Sequence, residues 1–349
     1  MPLIIPIFVI HQGCPHRCSY CSQKKTLGAY PESITETSLH ETVNYYLSHS
    51  RGIKRPVQIA FYGGSFTGID KGKQLELLEA AGTFIGQGLV DSIRISTRPD
   101  YIDEECLNFL ERFSVRTVEI GAQSMVDEVL RLSRRGHSAA DVRRAIELLR
   151  RRGFETGVHL MAGLPGDSPE GFAASVEEII TLRPDMVRIH PTLVFAGTEL
   201  AESFSRGDYK ALTMAEAVEA CKRALCRFTA ARIPVIRLGL QTTPEMEKEG
   251  NIVAGPFHPS FRALVEEAIF FDKASLLLSG VDVEGGEVAF HLYPSDISSF
   301  RGQKNRNIQA IKRLFNLQGL SLTPDPGQRK GALTLVVQGK KWRLAPEDF

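Results

Sequence analysis

Short apolar runs alternate with helical periodicity through most of this chain, and that alternation constrains its fold more than any other feature. The apolar runs predict strands at 3–10, 57–62, 92–97, 115–120, 154–161, 186–193 and 235–240. Helical periodicity fills the intervals, at 36–48, 74–86, 103–113, 126–133, 139–152, 170–182 and 214–231, and Thr35 is the predicted N-cap of the first of these helices. Strands that alternate with helices build parallel β/α units, and six or seven units predict an α/β fold, a partial (β/α)6-type TIM-like barrel. The functional side chains of such a barrel lie at the carboxyl ends of its strands.

The pattern changes beyond residue 250, so we predict a second unit there. The turn-rich run Gly255-Pro-Phe-His-Pro-Ser-Phe261 leads into a predicted helix at 261–270. The rest predicts strands near 274–278, 288–293, 319–322 and 333–337, with a basic helix at 305–315. The predicted organisation is therefore a barrel over 1–250 and a small C-terminal α+β appendage over 251–349.

Composition allows a large core and gives no sign of a membrane. The chain has 349 residues, of which 43% are hydrophobic, enough to bury a sizeable interior. Its net charge of +1, from 42 basic and 41 acidic residues, predicts neither nucleic acid nor an anionic membrane as a partner. No apolar stretch approaches the ~18 residues that a membrane-spanning helix needs. Residues 1–10 lack a basic start and a cleavage site, so we interpret them as a strand rather than a signal peptide.

Three cysteines follow the first predicted strand with C-x3-C-x2-C spacing: Cys14, Cys18 and Cys21, the last preceded by Tyr20. Thiolates are the ligands of iron–sulfur clusters, and a [4Fe–4S] cluster normally takes four of them. Three thiolates leave one iron open to another ligand, which makes such a cluster a site for chemistry. A zinc knuckle completed by His11 or His16 is the alternative, although no second Cys or His pair follows at zinc-finger spacing.

The remaining cysteines, Cys106, Cys221 and Cys226, are scattered through predicted helices. Free buried cysteine is common and usually inert. This usage predicts a reducing, cytoplasmic location, which an air-sensitive cluster would also need.

The cysteine run resembles the signature of the radical S-adenosylmethionine (SAM) enzymes. The resemblance implies a [4Fe–4S] cluster whose fourth iron is chelated by the amino and carboxylate groups of SAM. It also implies a reaction in which the reduced cluster cleaves SAM to a 5′-deoxyadenosyl radical that abstracts hydrogen from a substrate. We expect an electron donor of the flavodoxin or ferredoxin type as a partner.

A second motif of that family follows the predicted strand 57–62. Gly63, Gly64 and Ser65 resemble the segment whose backbone binds the amino group of the methionine moiety of SAM. Glycine permits such a close backbone approach. An ordinary turn from strand to helix is the alternative interpretation of these glycines.

Further motifs are similar to the Elongator catalytic subunit and, more distantly, to oxygen-independent coproporphyrinogen oxidases. They are Gly121-Ala-Gln123-Ser, Arg135-Gly-His and the run His190-Pro-Thr-Leu193-Val194. The resemblance implies that Gln123 contacts the ribose of SAM and that Arg135 holds its carboxylate, a good match for a guanidinium fork. It implies that backbone around Leu193 and Val194 lines the adenine pocket. Ser96 and Leu160 depart from the pattern, because relatives often have Glu and Asp there.

The Elongator resemblance runs from residue 10 to residue 250, and we expect no acetyltransferase domain in residues 251–349. The resemblance implies tRNA or another RNA as a partner, and the basic run 300–315 is the candidate contact, although a solvated basic face is the favoured interpretation of that run alone. Two alternatives remain open: a porphyrin-handling relative of coproporphyrinogen oxidase, and a non-catalytic RNA-binding factor that retains a cluster. The motifs specify neither the substrate, nor whether SAM is regenerated, nor the oligomeric state.

Overall fold

A seven-stranded parallel sheet forms the body of the protein. The computed structural model describes residues 2–10, 12–15, 17–27, 34–50, 55–283 and 285–349. In these residues the strands are, in chain order, β1 Leu3–Phe8, β2 Val57–Tyr62, β3 Ser92–Thr97, β4 Val115–Gln123, β5 Glu155–Ala162, β6 Met186–Pro191, β7 Val194–Phe195, β8 Val235–Leu238, β9 Ile252–Ala254, β10 Glu287–Leu292, β11 Gly319–Pro324, β12 Leu333–Val337 and β13 Lys340–Leu344. The large sheet has the order β1-β2-β3-β4-β5-β6-β8 and curls into a half-barrel, which confirms the predicted fold class.

Helices cover the outside of this sheet. They are, in chain order, α1 Gln23–Leu27, α2 Glu36–His49, α3 Lys71–Gly86, α4 Glu104–Glu111, α5 Asp127–Leu132, α6 Ala139–Arg151, α7 Pro169–Leu182, α8 Glu199–Arg206, α9 Met214–Ala230, α10 Pro244–Glu247, α11 Phe261–Ser279, α12 Ile297–Arg301 and α13 Arg306–Leu314. Local sequence sets their starts, because the predicted N-cap Thr35 accepts from the amide of Ser38 and removes one unpaired donor. None of the helices in the described ranges is both long and apolar enough to cross a membrane.

The strands divide their side chains between an apolar outside and a polar inside. Ile59 and Phe61 of β2 point outward and are fully buried in the core beneath the helices. Their neighbours Gln58 and Tyr62 point to the opposite face, because successive side chains of a strand alternate. The concave face of the half-barrel is therefore lined by polar groups that the outer core does not use.

A smaller unit follows the barrel. Strands β10 to β13 form a four-stranded sheet in the order β11-β10-β12-β13, with β10 and β11 parallel. One face of this sheet packs on α11, α12 and α13 through an apolar cluster that includes Phe290, Phe300 and Ile311. The predicted α+β character of this region is thus observed, while the proposed boundary at residue 250 stays a prediction.

Two predictions within this unit were wrong in detail. The predicted strand at 274–278 is the end of α11, which continues to Ser279. Ala274, Leu277 and Leu278 are buried at helical spacing, and such a short apolar run does not distinguish a strand from a buried helix. Strand β13 was missed, because its Lys-rich sequence hides the alternation that half-buries only Trp342 and Leu344.

Candidate active site

Backbone hydrogen bonds hold the cysteine loop over the carboxyl ends of the strands. The amide of Ser19 donates to the carbonyl of Ser133, 3.1 Å away at the end of α5. The amide of Leu200, at the start of α8, donates to the carbonyl of Ser19 at 2.8 Å. Between these anchors Cys21 donates its amide to the carbonyl of Cys18 at 3.1 Å, which turns the chain between two of the cysteines.

The glycines after β2 are where the cysteine loop rests on the barrel. A Cβ on Gly64 would lie 2.4 Å from the Val9 carbonyl oxygen and 2.3 Å from that of Gln12. A Cβ on Gly13, which has φ +69°, would lie 2.0 Å from the Ser65 carbonyl oxygen. No larger residue fits such backbone contacts without moving the loop. The glycine pair predicted to approach SAM thus also docks the cysteine loop onto β2.

Ser65 joins the ends of two strands. Its hydroxyl lies 2.9 Å from that of Thr97 and accepts from the amide of Arg98 at 3.2 Å, and the residue is fully buried. Arg98 in turn donates twice to Asp100, both at 2.9 Å, so its guanidinium is paired within the protein. The side chains of Ser65 and Arg98 already make hydrogen bonds within the protein, so any ligand contact of Ser65 would come from its backbone.

Arg135 connects the cysteine loop to β4. Its Nη1 donates to Sγ of Cys18 at 3.2 Å, and its Nη2 donates to the carbonyl of Gly121 at 2.7 Å. Its Nε is buried and has no acceptor among the described residues. Burial lowers the pKa of Arg135, but the neighbouring phenolate and thiolate charges outweigh it and hold that pKa above its ordinary value. The guanidinium is therefore a fixed cation beside Cys18 with one donor to spare.

Gln123 ends β4 in a strained conformation. Its φ is +69°, which side-chain-bearing residues rarely adopt and which clusters at functional sites. The side chain is buried beside Gly121, and its Oε1 has no donor among the described residues. Gln123 and Arg135 thus flank the same glycine, each with one unsatisfied polar atom.

The aromatic residue of the cysteine motif ties the loop to the far side of the barrel. Tyr20 packs against Val194 and Leu200 on one side and against Met161 and Leu164 on the other. Val194 lies in β7 and pairs with Ala254 of β9. Leu193 is buried in a separate cluster with Phe195 and Met246. The fold therefore brings Val194 to the cysteine loop through Tyr20, whereas the side chain of Leu193 packs away from Tyr20 in its own cluster.

The three cysteines are better suited to binding a cationic metal cluster than to carrying thiolate charges beside one another. Burial, and then repulsion from Cys18, raises the pKa of Cys21 to about 12. Bound metal cations reverse this penalty by stabilising thiolates. In the described ranges no three His, Cys, Asp or Glu groups surround a single point as one ion would require, whereas cluster cysteines each bind a different iron. His11 and His16 of the zinc alternative lie outside the described residues.

The same site offers complementary partners for SAM. An amino-acid carboxylate accepts from a spare guanidinium donor such as Nε of Arg135, and a ribose hydroxyl donates to an amide oxygen such as Oε1 of Gln123. Both atoms are buried and unsatisfied by the described residues, and buried polar groups are normally hydrogen-bonded. The residues present therefore fit both the cluster and SAM.

Sequence reasoning missed a charge network on the concave face below this site. The carboxylate of Glu119, which is 5% exposed, lies 2.7 Å from Nη1 of Arg94 and 2.8 Å from Nε of Arg188. Tyr62 accepts from Arg188 at 2.7 Å and donates to Glu119 at 3.1 Å. The sequence signal for this network was a charged residue within each of three largely apolar predicted strands, namely Arg94, Glu119 and Arg188.

Two neutral histidines lie between this network and the mouth of the barrel. The rings of His159 and His190 meet edge to face with centroids 4.4 Å apart. Burial, followed by the charge of Arg188, lowers the pKa of His159 to about 3, and burial with the neighbouring histidine holds that of His190 well below its ordinary value. Their Nε2 atoms are buried without partners in the described part of the chain.

Comparisons with known proteins agree with this geometry. The radical SAM superfamily model matches residues 8–179, and the Radical_SAM C-terminal domain model matches residues 184–270. A tRNA uridine(34) acetyltransferase of Methanocaldococcus infernus is 43% identical over 128 residues, which are 36% of this chain and 24% of that protein. The Elongator complex protein 3 of Homo sapiens is 34% identical over 136 residues, 38% of this chain and 25% of that protein. These matches span about a quarter of each relative.

A solved structure shares the fold. The archaeal Methanocaldococcus infernus Elp3 with an N-terminal deletion superposes with a TM-score of 0.59 at 24% identity, covering 78% of this chain and 63% of that one. The matched families, the half-barrel and the cysteine loop at its mouth lead to one conclusion. This chain belongs to the radical SAM superfamily and is a radical SAM enzyme, which implies a [4Fe–4S] cluster and SAM.

Proposed function

We propose that Cys14, Cys18 and Cys21 bind three irons of a [4Fe–4S] cluster and that SAM chelates the fourth. The observation that carries the proposal is the pair of contacts made by Arg135, to Sγ of Cys18 and to the Gly121 carbonyl. When bound and reduced, such a cluster supplies the electron that cleaves SAM to a 5′-deoxyadenosyl radical, which abstracts hydrogen from the substrate. The protein residues hold and orient the two cofactors.

The roles around SAM follow from the unsatisfied groups. The free Nε of Arg135 donates to the carboxylate, and Oε1 of Gln123 accepts from a ribose hydroxyl. Backbone at Gly63, Gly64 and Ser65 receives the amino group, and the segment Leu193–Val194 borders adenine. The strained φ of Gln123 supports its role, because such strain persists where a specific side-chain direction is needed.

Residues on the concave face hold the wall beneath the proposed cofactor site in a fixed arrangement. Glu119 clamps two arginines from different strands, so the wall beneath the site is fixed by buried ion pairs. His159 and His190 stay neutral, which avoids adding charge beside the site.

Radical SAM enzymes need a reductant, and the exposed Cys14 is the approach for a flavodoxin or ferredoxin.

The proposed substrate is an RNA. One of the relatives named above is a tRNA uridine(34) acetyltransferase, and the other carries the Elongator name. Residues 285–349 add a second support, with ten Lys or Arg against five Asp or Glu, while residues 1–284 have 32 against 36. A basic unit attached to a slightly acidic barrel is suited to recruiting a polyanion.

Eight of those ten cations have no carboxylate partner among the described residues. They are Arg301, Lys304, Lys312, Arg313, Lys330, Lys340, Lys341 and Arg343. An unpaired surface cation can replace the counterions of a phosphate backbone at no cost in internal ion pairs. This leaves the appendage free to contact RNA while the barrel supplies the chemistry.

The test is product analysis after anaerobic reconstitution. Protein is incubated with dithionite and SAM, with and without bulk tRNA, and 5′-deoxyadenosine is quantified. We expect 5′-deoxyadenosine in both samples, a higher yield with tRNA, and a mass change in a tRNA nucleoside. Absence of 5′-deoxyadenosine would contradict the catalytic proposal, and a yield and nucleoside composition unaffected by tRNA would contradict the RNA proposal alone.

A further inference from the structure

A cavity lies at the open edge of the half-barrel. Strand β8 pairs with β6 on one side only, and the start of α11 covers its other edge. Between them is a cavity of about 400 Å³ whose polar lining includes Arg237, Gln241, Thr242, Ser260 and Arg262. That volume is in the range of small-molecule sites.

The charges around this cavity are unbalanced. Arg237 of β8 is the register partner of Arg188 on β6, and like charges opposite each other destabilise a sheet. Arg188 shares the carboxylate of Glu119 with another arginine, whereas Arg237 donates, within the described part of the chain, only to the neutral Gln241 at 3.1 Å. Burial and then the charge of Arg188 lower the pKa of Arg237. An anion beside Arg237 would relieve both effects.

Further donors line the same cavity. The hydroxyl oxygen of Thr242 is buried and has no partner among the described residues. The 19-residue helix α11 begins here, and the side chain of its N-cap residue Ser260 makes no capping hydrogen bond to any residue that the structure describes. Helix N-termini attract anions, and this one adds to a guanidinium and a hydroxyl rather than acting alone. The second guanidinium in the lining, Arg262, is already partly neutralised, because it pairs with Glu266 at 2.8 Å.

We propose that this cavity binds a phosphate group of the substrate, with Arg237 as its main ligand and Thr242 and the start of α11 as further donors. A phosphate has enough acceptor oxygens for all three, and an arginine fork suits it. The identification of the bound phosphate as the substrate's rests on the proposed function, while the cavity and its charge do not.

The position of the cavity supports a role in catalysis. It lies along the second half of β8 and past the carboxyl end of that strand, the end of the barrel at which the cysteine loop also lies. The segment that follows returns across the open side, where the hydroxyl of Thr243 donates to the carbonyl of Thr26 at 2.8 Å, five residues after Cys21. A substrate held by its phosphate at Arg237 is therefore anchored at the barrel mouth, beside the site of radical formation.

The test is calorimetric titration of the anaerobically reconstituted full chain with inorganic phosphate, uridine 5′-monophosphate and uridine. We expect the monophosphate to bind at least tenfold more tightly than uridine, and inorganic phosphate to compete with it. Arg237→Gln should weaken monophosphate binding about tenfold or more, because a hydrogen-bonded charge is removed. Arg237→Lys should retain part of the affinity, and Thr242→Val should weaken binding a few-fold. Arg150→Gln, an exposed cation on the outside of α6, is the matched control and should bind as wild type.

A short RNA oligonucleotide in the same titration distinguishes the two sources of phosphate. Competition with the monophosphate, abolished in Arg237→Gln, identifies a phosphate of RNA, and binding of the monophosphate alone identifies a free phosphoester. Both outcomes support the site. The inference is overturned if no phosphate compound binds wild type, or if Arg237→Gln binds them as wild type does. SAM cleavage is measured separately, so a protein that binds phosphate without cleaving SAM contradicts the proposed function and not the site.

Discussion

The barrel and the C-terminal sheet use their positive charges in different ways. On the barrel helices, many cations pair with carboxylates, as Arg227 does with Glu177 at 2.6 Å and Arg152 with Glu111 at 2.6 Å. Inside the barrel Glu119 binds two arginines. In residues 285–349, by contrast, eight cations have no carboxylate partner among the described residues. The difference indicates that charges in the barrel maintain the fold and its site, whereas those of the appendage are available to an external partner.

The largest expected effect tests whether metal binding belongs to the barrel's cysteine loop. Cys18→Ser should abolish the cluster, since it removes one of three thiolates and the hydrogen bond with Arg135. Iron and sulfide content after anaerobic reconstitution measures this. Cys226→Ser, a half-buried cysteine of α9, is the control and should keep full iron content. Equal iron content in both variants would contradict the assignment of the ligands.

The next effect concerns the buried charges of the barrel. Glu119→Ala should lower the free energy of unfolding by about 3 kcal/mol, because it leaves the half-buried Arg188 without a carboxylate partner among the described residues and the buried Arg94 with only Glu155, 3.9 Å away. Glu177→Ala, which breaks a surface pair with Arg227, should cost ~1 kcal/mol or less. Urea denaturation of both variants gives the comparison. Similar decreases in stability would mean that inner and outer pairs contribute alike.

A smaller effect is expected for SAM binding. Arg135→Lys keeps the charge but removes the fork that reaches Cys18 and Gly121 together, so SAM affinity should fall about tenfold. The neighbouring Arg134→Lys is the control, because Arg134 pairs with Glu199 at the surface. Equilibrium binding of SAM to the reconstituted, unreduced protein measures both. An unchanged affinity in Arg135→Lys would exclude a bidentate role.

The smallest effect addresses the appendage. A triple variant, Arg301→Gln, Lys304→Gln and Arg313→Gln, should reduce the log–log slope of RNA affinity against salt by ~0.7–0.9 for each cation that neutralises a phosphate. The control triple, Arg131→Gln, Arg206→Gln and Arg223→Gln, removes barrel cations that already pair with carboxylates and should leave the slope unchanged. Anisotropy titrations with tRNA over a salt series give the slopes. The same slope change in both triples would remove the distinction between the two regions.

Local chemistry in the sequence was enough to predict much of the barrel. The strands at 57–62 and 92–97 have the predicted bounds, and Thr35 caps a helix where expected. Motif order placed Gly63 and Gln123 at strand ends and Arg135 in the connection that follows the fourth strand, and the fold brings Gly64 and Arg135 to the cysteine loop. Periodicity and capping are properties of neighbouring residues, so the sequence of one chain is sufficient to predict them.

Long-range contacts were not predictable in this way. The need for glycine at Gly13 and Gly64 depends on how two separate loops dock onto each other through their backbones. The clamp of Glu119 on Arg94 and Arg188, and the register that opposes Arg188 to Arg237, join strands far apart in sequence. These contacts depend on how the strands pair, and the spacing of residues within one strand does not predict that pairing.

The most direct test of the central claim is the electron paramagnetic resonance spectrum of the dithionite-reduced protein, recorded before and after SAM is added. If three cysteines leave one iron open and Arg135 helps to hold SAM on it, the signal should shift on SAM addition. Arg135→Gln should then need more SAM for the same shift. A spectrum unchanged by saturating SAM would show that no iron is open to it, and would contradict the account.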